Sequence, residues 1–238
     1  MMDFSVRSEE LELMDDPNME FELLDAAYAD INKCNRLLGG ESITIDAVWE
    51  LVKESGKKSY TILDMGCGDG TMLRKLSKHL SKHEVSHDMI GVDLRDDVLR
   101  IAKEKSSQYP NINFKKEDIL KADSSLSCDI LINTLTMHHF DENRIDAFLN
   151  KFVSLAKIGV VINDLQRSKI AYTLFKVFGF FFIKTNVAKY DGLVSISKGF
   201  KKAELIELSK KIPSVTHIIR WKWAFRYVWV MKFKRQNN

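Results

Sequence analysis

A chain of 238 residues, 45% hydrophobic and 29% charged, carries enough apolar matter for one full α/β core and too much to stay disordered. Only 3 prolines and 11 glycines exclude a fibrous chain, and the scattered cysteines Cys34, Cys67 and Cys128 suit reduced thiols better than a disulfide framework. The net charge of +3 hides an acidic opening, from Asp3 to Asp30, and a basic close, from Lys198 to Arg235. The basic residues are dispersed rather than blocked, which favours solvated faces and attraction between the two ends over a nucleic-acid surface.

The first residues lack the basic flank and apolar core of a secretory signal, so a cytoplasmic location is expected. Asp16-Pro17 places proline at a helix start. Phe21, Leu24, Ala27, Tyr28 and Ile31 then recur at helical spacing, and Gly39-Gly40 ends the segment. Thr44 is expected to cap a second helix through Ile45, Val48, Trp49 and Val52, closed by Gly56. Residues 1–58 thus read as a helical cap.

From Tyr60 the pattern changes to short β-type runs at 60–65, 89–93, 111–115, 129–133 and 159–163. Helical patterns lie between them near 71–80, 96–105 and 142–156. This alternation predicts a parallel sheet covered on both faces, with the runs 216–223 and 226–233 closing it as an antiparallel pair. The expected architecture is a doubly wound α/β domain over 59–238. An apolar insert at about 168–200 interrupts it. The oily run Ile170–Ile183 is too short and too charged to span a membrane, so it predicts a helix covering the site, apolar on its inner side. Peripheral membrane contact is the lesser alternative. Asp191-Gly192-Leu193-Val194-Ser195 reads as a turn without chemistry.

The most specific segment is Leu63-Asp64-Met65-Gly66-Cys67-Gly68-Asp69-Gly70: an apolar run, an acid, then alternating glycines. A second run, Met89 to Val92, ends in Asp93. Strand, glycine turn, helix, strand, acid is the arrangement that holds a nucleoside cofactor. A dinucleotide turn needs a third glycine where Thr71 stands, which disfavours a nicotinamide cofactor and a dehydrogenase. Asp64 would sit badly beside a diphosphate but suits the cationic end of S-adenosylmethionine. Asp93 can accept both ribose hydroxyls. Asp118 can accept from the adenine amino group while Ile119 packs on the ring. Gly66, Cys67, Gly68, Leu94 and Asn133 complete the expected cofactor contacts.

These segments, with Gly91-Val92-Asp93 and Glu117-Asp118-Ile119, resemble the successive motifs of class I S-adenosylmethionine-dependent methyltransferases. The run Asn133-Thr134-Leu135-Thr136-Met137-His138-His139-Phe140 is similar to the fourth motif of the quinone-biosynthesis type. The helical start with Asn32 to Gly40 looks like a subset of small-molecule methyltransferases, some of them associated with polyketide pathways. The resemblance covers about 60–164 and implies a seven-stranded sheet with its last strand antiparallel.

His138 and His139 fall at the carboxyl end of the fourth strand, so one of them is a candidate general base for a hydroxyl acceptor. Asp164 ends the fifth strand and is expected to touch the acceptor or to order a histidine. Arg167 is the other candidate for acceptor binding. His79, His83 and His87 are spaced like metal ligands but lie in a solvated segment, and no metal is expected. The expectation is a methyltransferase acting on a small, partly apolar acceptor, lipophilic or phenolic, as monomer or homodimer. Oxygen is favoured over carbon as the acceptor atom. An RNA or protein methyltransferase and a non-catalytic binding module are the rival readings.

Overall fold

The computed structural model describes residues 3–233; Lys234 and Arg235 of the basic close lie outside the described residues. Two helices open the chain, α1 (Phe21–Leu37) and α2 (Gly40–Ser55). The α/β alternation follows as β1 (Ser59–Met65), α3 (Thr71–Lys82), β2 (Ser86–Asp93), α4 (Asp96–Lys105), β3 (Ile112–Lys116), β4 (Cys128–Thr134), α5 (Glu142–Leu155) and β5 (Ala156–Leu165). Three helices come next, α6 (Lys169–Phe182), α7 (Asn186–Lys198) and α8 (Lys202–Lys210), before β6 (Val215–Lys222) and β7 (Arg226–Phe233).

The strands form one sheet in the order β3-β2-β1-β4-β5-β7-β6. β1 to β5 are parallel, while β7 runs antiparallel between β5 and β6. The mostly parallel, doubly wound sheet expected from the sequence is therefore present. Alternating side chains of the strands feed two apolar clusters, as the two-residue period of a strand requires. Leu63 and Met65 of β1 join Phe148 and Phe152 of α5 and Leu205 of α8. Tyr60 and Ile62 join Val48 and Leu51 of α2, Leu73 and Leu76 of α3 and Leu99 of α4. Because α2 shares that cluster with the sheet, the core runs across the expected boundary at residue 58.

Three local expectations differ from the structure. Pro17 does not start a helix: α1 begins at Phe21, and Asp16 makes a turn, accepting from Asn18 N–H through Oδ1 and from Met19 N–H through its carbonyl. Thr44 does not cap α2, which starts at Gly40 after a left-handed Gly39; its hydroxyl instead accepts from Asn163 Nδ2 at 3.0 Å. Residues 191–195 are not a turn but the middle of α7, capped by the Thr185 side chain on Ala188 N–H. Gly192 serves close approach there, since a Cβ on it would lie 2.2 Å from the Phe175 ring of α6.

Candidate active site

A cavity of about 870 Å³ opens at the carboxyl ends of β1, β2, β4 and β5, where parallel α/β sheets bind ligands. α1, α6, α7 and the segment before α1, which includes a 3-10 turn at Leu13–Asp15, wall it in. That segment is held down at several points. Arg7 donates to the carbonyls of Lys198 and His138, Leu13 and Met14 N–H donate to the Asp191 carboxylate, and Arg95 donates to the carbonyls of Met14 and Asp16.

One end of the cavity is built by the glycine turn. Gly66 and Cys67 N–H both donate to Val92 O, at 2.8 and 2.9 Å, tying the turn to the end of β2. Gly66 has φ +81°, and a Cβ there would lie 2.5 Å from Thr136 Oγ1. Asp93 accepts from Gly68 N–H at 3.1 Å and from Arg95 N–H at 3.2 Å. Burial pushes its carboxyl up, against the pull of those N–H groups. Asp64, 1% exposed, lines the same end, and its Oδ1 has no hydrogen-bond partner. Burial first, then nearby Asp93, drives its carboxyl up to about 8. A buried, unsatisfied acid on a cavity wall is costly alone and is satisfied by a bound cation.

Cys67, Gly68, Leu94 and Ile119 also line the cavity. Burial holds the Cys67 thiol well above its ordinary value, which makes it inert. Asp118 and Asn133 differ from expectation. Asp118 lies outside the cavity lining, accepting from Leu120 N–H at 3.0 Å and pairing with Lys121 at 3.5 Å. Asn133 is fully buried and donates to Met65 O, bracing the end of β1 rather than facing a ligand.

The other end of the cavity is cationic and carboxylate-rich. Asp164 Oδ1 lies 2.7 Å from His138 Nδ1, while its Oδ2 accepts from the His138 backbone N–H at 3.0 Å. His138 Nε2 stands 3.5 Å from Glu12 Oε1; they pair as charges, and each lacks a hydrogen-bond partner. Burial alone would lower the imidazole, but Asp164 and Glu12 outweigh it and raise it to about 9. Burial likewise opposes ionisation of Glu12, yet His138, His139 and Lys198 bring its carboxyl down to about 2. His139 is 30% exposed by its side chain, 3.7 Å from Glu12 and 3.6 Å from Asp15. Arg226 also lines the cavity, with Nη2 donating to Asn35 and with Nε and Nη1 unpartnered.

Arg167 differs from expectation. Its buried guanidinium is spent on Glu204 and on the carbonyls of Phe4, Ser5 and Gly199, outside the cavity lining. The histidine series also separates. His79 and His83 pack against Trp49, whereas His87 lies in β2, bonded to Ser77 Oγ and Val85 O. Among the described residues, Glu12, His138 and His139 have donor atoms within 4.8 Å of one another, close enough for a metal ion. Lys198 Nζ, 3.6 Å from Glu12 Oε1, already brings a cation there, and with the imidazolium of His138 it balances Glu12 and Asp164. That charge balance reads as an ion network.

Residues 62–159 match the family model of a methyltransferase domain. The matched region, less than half of the chain, is similar to S-adenosylmethionine-dependent methyltransferases. A malonyl-[acyl-carrier protein] O-methyltransferase of Ilyobacter polytropus is 26% identical over 163 residues, which is 68% of this chain and 56% of that protein. The chain thus spans little more than half the length of that curated relative. Among solved structures, the plantazolicin methyltransferase BpumL in complex with SAH superposes with a TM-score of 0.68 at 17% identity, covering 92% of each chain. The magnesium protoporphyrin IX methyltransferase of Synechocystis PCC 6803, with bound SAH, gives 0.57 at 16% identity over 82% of this chain and 84% of that one. These likenesses show a shared fold.

The cavity includes residues that sequence reasoning passed over. Glu12 and Tyr28 belong to segments far from the glycine turn in the chain, and Arg226 opens β7. Tyr28 packs over Gly68, where a Cβ would meet its Cε1 at 2.9 Å. The signal available for Tyr28 was its place in the apolar helical stripe, which reads as core.

Proposed function

We propose that this chain transfers a methyl group from S-adenosylmethionine to an oxygen of a small, partly apolar acceptor. The observation that carries the reading is Asp64. A buried acid with an unpartnered oxygen, beside a turn where side chains do not fit, suits the cationic end of that donor, which would draw out the carboxylate. When bound, S-adenosylmethionine supplies an activated methyl group on a sulfonium. Asp64 would face its charged end, Asp93 its ribose hydroxyls, and Ile119 and Leu94 its adenine. The alternating glycines leave room for the ligand to lie against backbone.

The acceptor would occupy the end between His138, Glu12 and Arg226. A hydroxyl oxygen entering between His138 Nε2 and Glu12 Oε1, 3.5 Å apart and each without a hydrogen-bond partner, would satisfy both atoms once the pair opens to admit it. His138, at about 9, lies within roughly one unit of a phenol's ordinary value near 10, so proton transfer between them is nearly balanced. Asp164 holds the ring by Nδ1 and leaves Nε2 to receive the proton. Arg226 Nε and Nη1 offer donors to a second acceptor oxygen. The wall and lid exclude water and hold the reacting atoms in line.

The malonyl-[acyl-carrier protein] O-methyltransferase supports an oxygen acceptor by analogy alone. The test is incubation with S-adenosylmethionine and a panel of alkylphenols, hydroquinones, carboxylic acids and, separately, RNA, followed by mass spectrometry and by assignment of the methylated atom. An O-methyl product supports the reading; a C-methyl product or methylated RNA refutes it.

A further inference from the structure

α6 is apolar on both sides. Its inner side supplies Ala171, Leu174, Phe175 and Phe178 to the cavity wall. The outer side would ordinarily be polar in a surface helix. Here Ile170 is 65% exposed, Val177 56%, Phe180 76% and Phe181 71%. Single exposed apolar residues need no explanation, but a run of large ones along one helix marks a contact surface.

The charge around this face is one-sided. From Arg167 to Tyr190 the chain contains no aspartate or glutamate. Lys169, Lys176 and Lys184 are exposed along the same helix and just beyond it. Lys33 of α1 reaches the end of α6, its Nζ donating to Phe182 O. The mouth of the cavity adjoins this face, because Leu174 and Trp223 line the cavity and are 50% and 63% exposed. No helix among the described residues is long and apolar enough to cross a membrane.

We infer that the outer face of α6 docks the protein on an anionic phospholipid surface, with Ile170, Val177, Phe180 and Phe181 entering the acyl boundary and the lysines resting among the headgroups. The chemistry is that of a helix lying in the interface plane: apolar residues supply the hydrophobic contact, cations the attraction to phosphate. Tryptophan at the rim suits the headgroup level, where an amphipathic ring is at home. The arrangement aims the cavity mouth at the bilayer, so a lipophilic molecule enters past Leu174 and Trp223 without crossing water. A protein partner or a second copy would have less use for an acid-free, lysine-edged rim, since protein interfaces are depleted in lysine.

The test is flotation of the full chain with vesicles of phosphatidylcholine alone and of phosphatidylcholine mixed with phosphatidylglycerol. Three proteins are compared: wild type, Val177→Ser/Phe180→Ser/Phe181→Ser, and Lys169→Glu/Lys176→Glu/Lys184→Glu. Binding of S-adenosylhomocysteine by each variant, and its far-ultraviolet circular dichroism, report folding independently of lipid. Wild type should float with the anionic vesicles, less so in high salt. The glutamate variant, which loses and reverses three charges worth roughly fivefold each, should bind the anionic vesicles at least about a hundredfold more weakly. The serine variant should lose binding to both vesicle types by at least tenfold. Failure of wild type to float with anionic vesicles, or equal flotation of the folded serine variant, overturns the proposal. So does a concentration-dependent dimer that the serine substitutions abolish while vesicle binding is absent.

Discussion

Asp164 grips His138 twice, through Oδ1 to the ring Nδ1 at 2.7 Å and through Oδ2 to the backbone N–H at 3.0 Å. The double contact fixes both the ring and the loop that carries it. It leaves Nε2 as the free face toward Glu12 and the cavity. Replacing His138 with Gln should lower kcat by roughly 10²–10⁴ for a phenolic acceptor, the range for loss of a general base, while S-adenosylhomocysteine affinity stays within about twofold. Steady-state kinetics with calorimetry checks both numbers.

The pH profile follows from the same cluster. His138 must be neutral to take a proton, so kcat/KM should climb with pH toward about 9. Glu12 is one of the groups that raise the imidazole. Glu12→Gln removes that carboxylate, so the rising limb should move to lower pH. A limb that stays in place would show that Glu12 does not govern the base.

Asp64 has the opposite sign in stability and in binding. Its folded value of about 8 lies above the ordinary 3.8, so the native state holds a proton that the unfolded chain has lost between those values. Stability of the ligand-free protein should therefore decline as pH rises from 4 to 8. Asp64→Asn should lack this decline and melt higher at pH 8. The ammonium of the ligand's amino-acid end, which S-adenosylhomocysteine keeps, demands the carboxylate, so its binding should release protons below pH 8 and strengthen as pH rises. Calorimetry in buffers of different ionisation enthalpy measures the protons released.

Gly66 has a conformational and a steric reason to be glycine. Its left-handed φ of +81° alone makes Gly66→Ala cost about 1–2 kcal/mol, and the 2.5 Å approach of Thr136 Oγ1 to the added Cβ raises the loss. The urea midpoint should fall accordingly. S-adenosylhomocysteine affinity should fall with it, because Thr136 must shift within the cavity wall.

The strand ends and the glycine turn were legible because their signals are local. The apolar run, the acid and the alternating glycines at 63–70 fix a strand, a bend and a helix without help from the rest of the chain. α4 and β7 likewise have the bounds that composition suggests. Side-chain direction at a strand end is not local. Asp118, Asn133 and Arg167 all follow or end strands, yet each turns to a backbone or ion-pair partner. Glu12 was invisible as a site residue, because the opening segment gains its place by bonds to α7, Arg95, Arg167 and the His138 loop, all distant in the chain. Gly192 misled in the opposite way: a glycine demanded by packing against Phe175 imitates a turn.

The central claim is that an adenosine-bearing, cationic methyl donor lies across the ends of β1 and β2. Calorimetric titration of S-adenosylhomocysteine into the wild-type chain and into Asp93→Ala tests it most directly. The account predicts saturable one-to-one binding to wild type and a loss of at least tenfold in the variant, roughly the worth of one charge-assisted hydrogen-bond pair. Absence of binding to wild type, or equal affinity in the two proteins, would contradict it.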